Sequence, residues 1–177
     1  MLELTNITLC CIDNLGRGAG AIKHCTDVAN FGKVLLLEPD IHSKEEYSKF
    51  VLRSLPDYIE TPFVMICQHD GYIVKPESWS DEFLQYDYIG APWWFNHDNN
   101  VGNGGFSLRS RAMLEACKQI YPYHPEDGMI REWRDELVKQ GIRFAPEELA
   151  ARFSWEHNGK YTTYNNSFGF HGQKPNV

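Results

Sequence analysis

Residues 63–72 read FVMICQHDGY, an apolar run from Phe63 to Cys67 followed by Gln68, His69 and Asp70 before Gly71. A short continuous apolar run bounded by polar and turn residues has the length and composition of a buried strand. Gly71 then turns the chain, so the strand delivers a carboxylate, Asp70, at its carboxyl end. Ligands in open α/β sheets are met at that edge. Asp70 therefore stands where a metal, a phosphate or a sugar would be held.

Strands and helices alternate on either side of this segment. Residues 7–12 form a short apolar strand closing on Asp13, followed by the glycines 16, 18 and 20 and a helix over about 21–30. Residues 34–37 make a second buried strand. Over 44–55, Tyr47, Phe50, Val51 and Leu55 recur at helical spacing, with Ser43 as N-cap and Glu46 completing a capping box. Downstream the pattern predicts a brief strand at 106–108, a helix over 110–120 and an amphipathic helix over 126–140 that Gly141 stops. One more strand follows at 142–145, and Pro146 starts a helix reaching about residue 153. From Trp155 onward no periodicity is visible, and the tail reads as loop.

With 177 residues, 42% hydrophobic and 14% aromatic, the chain can bury a core without staples, and residues 1–177 are expected to form one domain. A formal net charge of -7 and a pI near 5.5 argue against nucleic acid as a partner, because phosphate neutralisation needs a Lys/Arg excess. Five cysteines are an odd number, and Cys10, Cys11 and Cys67 lie inside apolar runs, which reads as buried free thiols in a reducing cytoplasm. The N-terminus shows no basic stretch leading into an apolar one, and no segment reaches the roughly 18 apolar residues of a membrane span. The expectation is a soluble cytoplasmic protein.

Five motifs carry chemistry. GRGAG after the first strand departs from the dinucleotide fingerprint G-x-G-x-x-G. It reads first as a turn entering a helix, with Asp13 either capping that turn or meeting a nucleotide. GNGG at 102–105 lets backbone approach a ligand closely, and Asn103 adds an amide for hydroxyl groups, although an ordinary tight turn has the same composition. Trp93 and Trp94 follow Pro92 on a loop, as sugar-stacking faces or as core residues. Glu126 and Asp127 open a helix, where acidic residues meet the helix dipole favourably with or without a catalytic task. In FGFHGQKP, the value of His171 depends on whether the fold returns it to Asp70.

QHDGY, YDYIGAPWW, GNGGFSLRSR, HPEDGMI, IRFAPEELAARFSWE and FGFHG, in this order, resemble a little-characterised family of glycosyltransferase-like proteins classed as a domain of unknown function. The resemblance extends upstream through ITLCCID, FGKVLLL and EEYSKFVL and so covers nearly the whole chain. The family is similar to nucleotide-sugar-dependent glycosyltransferases of the GT-A type. It implies an α/β fold with a Rossmann-like mixed central sheet flanked by helices in a single domain. It also implies a D-x-D metal motif, a glycine-containing donor loop, an acidic motif near the acceptor and a late histidine that returns to the metal. Carried over, QHD becomes the D-x-D counterpart, with Asp70 and His171 as metal ligands and Gln68 standing where the first Asp would be. HGQKP is similar to the H-x-G-x-K-P pattern, which places Gly172 and Lys174 near the diphosphate. Asn103, Gly104 and Gly105 would line the donor sugar. Asp127, then Glu126, would supply the base of an inverting enzyme.

The implied activity is a metal-dependent, hexosyltransferase-like transfer from a nucleotide-sugar donor, a UDP-sugar foremost, to a hydroxyl of a carbohydrate or glycoconjugate acceptor. An oxygen-rich site with one imidazole suits Mn²⁺, with Mg²⁺ as the other choice. The rival is a catalytically degenerate nucleotide- or sugar-binding module of the same fold, favoured by Gln68 and by a chain with little room for an acceptor subdomain. A metal-dependent phosphohydrolase stands third, because no second carboxylate or histidine cluster for a two-metal site is evident.

Overall fold

The structure, a computed structural model, describes residues 1–94, 100–161 and 164–173. Its main sheet is built on the predicted strand β3 (Phe63–Cys67), which follows β1 (Leu2–Ile12) and β2 (Ala29–Leu37) in the chain. With β5 (Tyr88–Gly90) and β6 (Phe106–Ser110), which follow β4 (Gly71–Ile73) in the chain, the order across the sheet is β2-β1-β3-β6-β5. β2 and β3 both run parallel to β1, while β6 is antiparallel to β3 and to β5. Side chains alternate along β3: Met65 and Cys67 enter one core with Leu9 and Cys11, whereas Val64 and Ile66 enter another with Cys10 and Ile12. Both faces are covered, which is why these strands read as unbroken apolar runs.

The covering elements follow from local sequence. The helix α1 (Ala19–Thr26) links β1 to β2, and α2 (Lys44–Lys49) continues into a π-helical turn at Phe50–Ser54 and a 3-10 turn at Leu55–Tyr58. Ser43 caps α2 by accepting from Glu46 N–H at 3.1 Å, while the Glu46 carboxylate accepts from His42 N–H, one residue earlier than a standard capping box places it. Pro56 follows directly in the 3-10 turn, and the helix expected over 44–55 ends as π and 3-10 instead of α. α3 (Arg111–Cys117) is followed by α4 (Glu126–Glu132) and α5 (Arg134–Lys139). The helix expected over 126–140 is thus broken at Trp133, whose φ of -89° and ψ of 4° leave the helical region. Leu137 stays buried after the break, but Val138, expected inside, is 50% exposed.

Further expectations are corrected. β1 begins at Leu2, and α1 stops at Thr26 because β2 already starts at Ala29. Residues 142–145 make only a single parallel bridge, Tyr88 to Phe144, held by the Asp87 carboxylate, which accepts from Arg143 N–H at 2.9 Å and from the Ser110 hydroxyl at 2.8 Å. The tail is not all loop. β4 (Gly71–Ile73), β7 (Ser154–Trp155), after α6 (Glu147–Phe153), and β8 (Gly169–His171) form a second sheet in the order β4-β8-β7. Trp93 packs inward, against Gly102, while Trp94 is 67% exposed. All five cysteines are free and buried. Among the described residues no helix is long and apolar enough to cross a membrane.

The loop before β6 is held against β5 by a backbone approach that tolerates no side chain. A Cβ on Gly90 would run into the carbonyl group of Asn103, a backbone group that cannot swing aside. Gly90→Ala should therefore lower stability by about 1–3 kcal/mol, the usual cost of overpacking, and calorimetry should show the lower melting temperature.

Candidate functional site

β3 ends in a tight turn, with Gly71 N–H donating to Gln68 carbonyl at 3.0 Å, and β4 continues from it into the second sheet. In that sheet Gly71 lies opposite His171 across the antiparallel β4–β8 pair, and Gly172 N–H donates to the Asp70 carbonyl at 3.0 Å. The fold thus returns His171 to Asp70 across about a hundred residues of sequence. On its other side β8 pairs in parallel with β7, Trp155 opposite Phe170, so the following Glu156 arrives beside the same imidazole.

His171 Nε2 lies 3.1 Å from Gln68 Oε1 and 3.4 Å from Asp70 Oδ1, while Nδ1 lies 3.4 Å from Glu156 Oε1. Burial pulls the imidazole toward neutrality, but the contacts to Asp70 and Glu156 more than offset this and raise it to about 9. The same imidazole holds the Asp70 carboxyl below its usual range. Asp70 Oδ1, Glu156 Oε2 and His171 Nδ1 are nevertheless buried atoms without a well-aligned hydrogen bond among the described residues. Gln68 Nε2 donates to the Tyr47 hydroxyl at 3.0 Å, so the amide presents its oxygen to the imidazole.

A second acidic group sits at the start of α4. Glu126 is 5% exposed and pairs with Arg109 of β6, Nη2 to Oε1 at 3.2 Å. Arg109 Nε also donates to Ser107 Oγ at 3.2 Å, and its guanidinium lies 5.2 Å from the centroid of the Tyr88 ring. Asp127 accepts from Gly104 N–H at 3.0 Å and from Gly128 N–H at 2.8 Å. Burial, reinforced by the charge of Glu126, pushes the Asp127 carboxyl up to about 6 against these donors and Arg109. The glycines of GNGG serve this packing directly: a Cβ on Gly104 would meet Glu126 and Arg109, and one on Gly105 would meet the His171 ring. Asn103 Oδ1 accepts from Gly105 N–H at 2.9 Å.

Gln68 and His171 of the first group and both carboxylates of the second line one cleft of about 520 Å³, together with Asn103 and Gly105, whereas Asp70 and Glu156 stand behind His171 and off the lining. The cleft lining includes residues that follow the carboxyl ends of β1, β2 and β3, among them Asn14, Ile41 and Gln68, and Lys44 and Tyr47 of α2. Asn14, Ile41 and His42 also border a smaller cavity of about 320 Å³ beside Asp13, Glu38 and Asp40. Asp13 accepts from Leu15 and Gly18 N–H, at 2.9 and 2.5 Å. Burial favours its protonation, but these donors prevail and hold the carboxyl low, so Asp13 caps the turn while lining the smaller cavity. Gly172, at φ 92°, supports the turn at Asp70, and Lys174 lies outside the described residues.

Sequence reasoning missed Arg109, Tyr47 and Glu156. Arg109 alternates with apolar residues in FSLRS, a pattern that ordinarily sends polar side chains to solvent. The signal available was the acidic pair, which if buried needs a cation. Glu156 follows a strand too short to show periodicity.

A family profile described as "Protein of unknown function (DUF5672)" matches residues 33–171. The chain belongs to that family. No curated protein matches it. Among solved structures, it is similar to a glycosyltransferase involved in the glycosylation of the major capsid of PBCV-1, with TM-score 0.61 and 12% identity over 93% of this chain and 92% of that one. It is also similar to the galactosyltransferase LgtC in complex with donor and acceptor sugar analogues, with TM-score 0.46 and 12% identity over 98% and 88% of the two chains. The fold is accordingly of GT-A type, a mixed Rossmann-like sheet flanked by helices.

The elevated Asp127 makes a signed prediction. A carboxyl raised from 3.8 to about 6 contributes stability that is complete below pH 4 and is lost as pH rises through about 6. Asp127→Asn removes that loss, so the variant should be more stable than the parent at pH 7.5, by on the order of 2 kcal/mol, and the advantage should vanish at pH 4. Thermal unfolding at the two pH values measures it. A carboxylate serving only the helix dipole would give the opposite sign at pH 7.5.

Proposed function

We propose that this DUF5672 protein is a metal-dependent glycosyltransferase, with residues 1–177 as its catalytic domain. It would move a sugar from a nucleotide-sugar donor, a UDP-sugar foremost, to a hydroxyl of a carbohydrate or glycoconjugate, with inversion. The observation that carries the reading is the shared cleft: a site suited to a diphosphate at Gln68 and His171, and a carboxylate of raised proton affinity at Asp127, on its walls.

Among the described residues no three His, Cys, Asp or Glu side chains converge to hold a metal. The set on the Nε2 side of His171 is one carboxylate, one imidazole and one amide oxygen. Such a set fits a cation that completes its sphere with water and substrate phosphates, as Mg²⁺ and Mn²⁺ commonly do. The orphaned Asp70 Oδ1 is the shortfall such an ion would fill. A bound divalent cation would supply Lewis-acid stabilisation of the negative charge that grows on the departing diphosphate. Glu156, on the opposite ring nitrogen, would accept from Nδ1–H and fix the imidazole with Nε2 facing Asp70.

Asp127 takes the proton of the acceptor hydroxyl as its oxygen bonds to the anomeric carbon, while the bond to the diphosphate breaks and its electron pair leaves with the phosphate. A proton affinity near neutrality suits that task. Asn103 and Gly105, which also line the cleft, would meet the donor sugar. The buried free thiols support a reducing, cytoplasmic location. Gln68 in place of a carboxylate favours the second reading, a binding module that holds nucleotide-sugar without transfer.

Calorimetric titration with UDP should show affinity that rises on adding Mn²⁺, and Asp70→Ala or His171→Ala should remove that increment. Indifference to Mn²⁺ in the parent protein rejects the metal site. Slow hydrolysis of the donor, with water in the acceptor's place, separates enzyme from module. Asp127→Asn should lower hydrolysis by about 10² to 10⁴ while UDP binding persists.

A further inference from the structure

Arg109 takes no part in the transfer described above, yet it is an arginine about 1% exposed in the interior beneath the cleft. Its guanidinium is committed to Glu126, to Ser107 and to the face of Tyr88. Gly104, whose N–H holds Asp127, has no room for a Cβ because Arg109 and Glu126 occupy that space. An unpaired buried carboxylate costs several kcal/mol, so Glu126 can sit there only with its cation.

We propose that Arg109 is a positioning residue that assigns the proton-accepting role to Asp127, by engaging Glu126 in a buried ion pair and setting the charge against which Asp127 titrates. The inference rests on the glycosyltransferase reading only for its catalytic consequence. The acidic pair then divides its labour: Glu126 is the anchored counter-ion, and Asp127 is the carboxylate exchanging protons with the cleft. The other groups around the pair are Tyr88 of β5, Tyr47 of α2 and Cys117 of α3. Burial pushes all three up, Cys117 to about 12, so they stay neutral. Lys44, His42, His124 and His171 face the cleft from its other walls. None of these is altered in the variants below, and their effects cancel in the comparison.

The test is a double-mutant cycle read in two ways: the carboxyl ¹³C titration of Asp127, and the acid limb of donor hydrolysis. Glu126→Gln removes a negative neighbour and leaves the arginine cation, so the Asp127 midpoint and the acid limb should fall by roughly one pH unit. Arg109→Met removes the cation, and the upper midpoint of the carboxyl pair should rise. Arg109→Met/Glu126→Gln should lie between, and Arg109→Lys should stay near the parent. Should Arg109→Met fail to fold, Glu126→Gln and the uncharged double variant still carry the comparison. Midpoints unmoved in both make Arg109 a structural brace and overturn the proposal. Hydrolysis abolished by Glu126→Gln but retained in Asp127→Asn overturns it as well, since Glu126 would then be the base. Midpoints that shift in a protein with no hydrolysis support the assignment of Arg109 and reject the enzyme.

Discussion

The antiparallel register of β8 on β4, which sets His171 opposite Gly71, is the constraint on which the candidate site depends. β3 belongs to the main sheet and β4 to the second, so the turn at residues 68–70 joins the two sheets. Because strand pairing has a side-chain period of two, a slip of one residue would put Phe170 where His171 stands and send the imidazole to the other face. Three features hold the register. Gly172 N–H bonds back to the Asp70 carbonyl, Phe170 packs edge-on against Tyr72, and the Phe106 ring fills the space over Gly169 that any side chain would need.

Electrostatics then separates two clusters that composition alone makes look alike. At the β3 turn the carboxylates of Asp70 and Glu156 flank one imidazole, and the result is a proton-rich ring and an Asp70 held ionised. At α4 the carboxylates are adjacent in sequence and share one arginine, which engages only Glu126. Like charge and burial therefore fall on Asp127, and its proton affinity rises. Opposite shifts in two carboxylates on one structure are what an acid–base division requires. Here burial is the largest cause at Asp127, and the contact with His171 is the largest at Asp70.

What the sequence disclosed was the part governed by local periodicity and by chain punctuation. The apolar run 63–67 and the Gly71 turn placed Asp70 at a strand's carboxyl end, and Ser43 and Pro146 marked helix starts within a residue. Tertiary demands hid the rest. β4, β7 and β8 have at most three residues each, too few to show a period, and they exist because they pair with one another. Trp133 ended a helix whose hydrophobic stripe ran on in sequence, and its half-buried indole packs against the cluster that holds Met129 and Leu137. Arg109 was hidden by the rule that polar alternates face water, which fails where α4 lays a carboxylate over the strand. GNGG was legible as a place of close approach. That its own histidine and acidic pair make that approach is known only from the folded chain.

Gln68 shows how a neutral residue can hold a position where a carboxylate would be expected. With Asp70 and Glu156 already beside His171, a third anion would add repulsion in a largely desolvated corner. The amide supplies the same oxygen geometry without charge, provided it cannot flip and present its NH₂. Tyr47 meets that condition. Its hydroxyl accepts from Gln68 Nε2, leaving Oε1 toward the imidazole, and the ring is anchored on α2, whose start Ser43 and Glu46 fix. The orientation of one oxygen at the β3 turn is thus set through the capping of α2 on the other wall of the cleft. Glu156 completes the compensation, since it restores on the Nδ1 side the negative charge that Gln68 withholds on the Nε2 side.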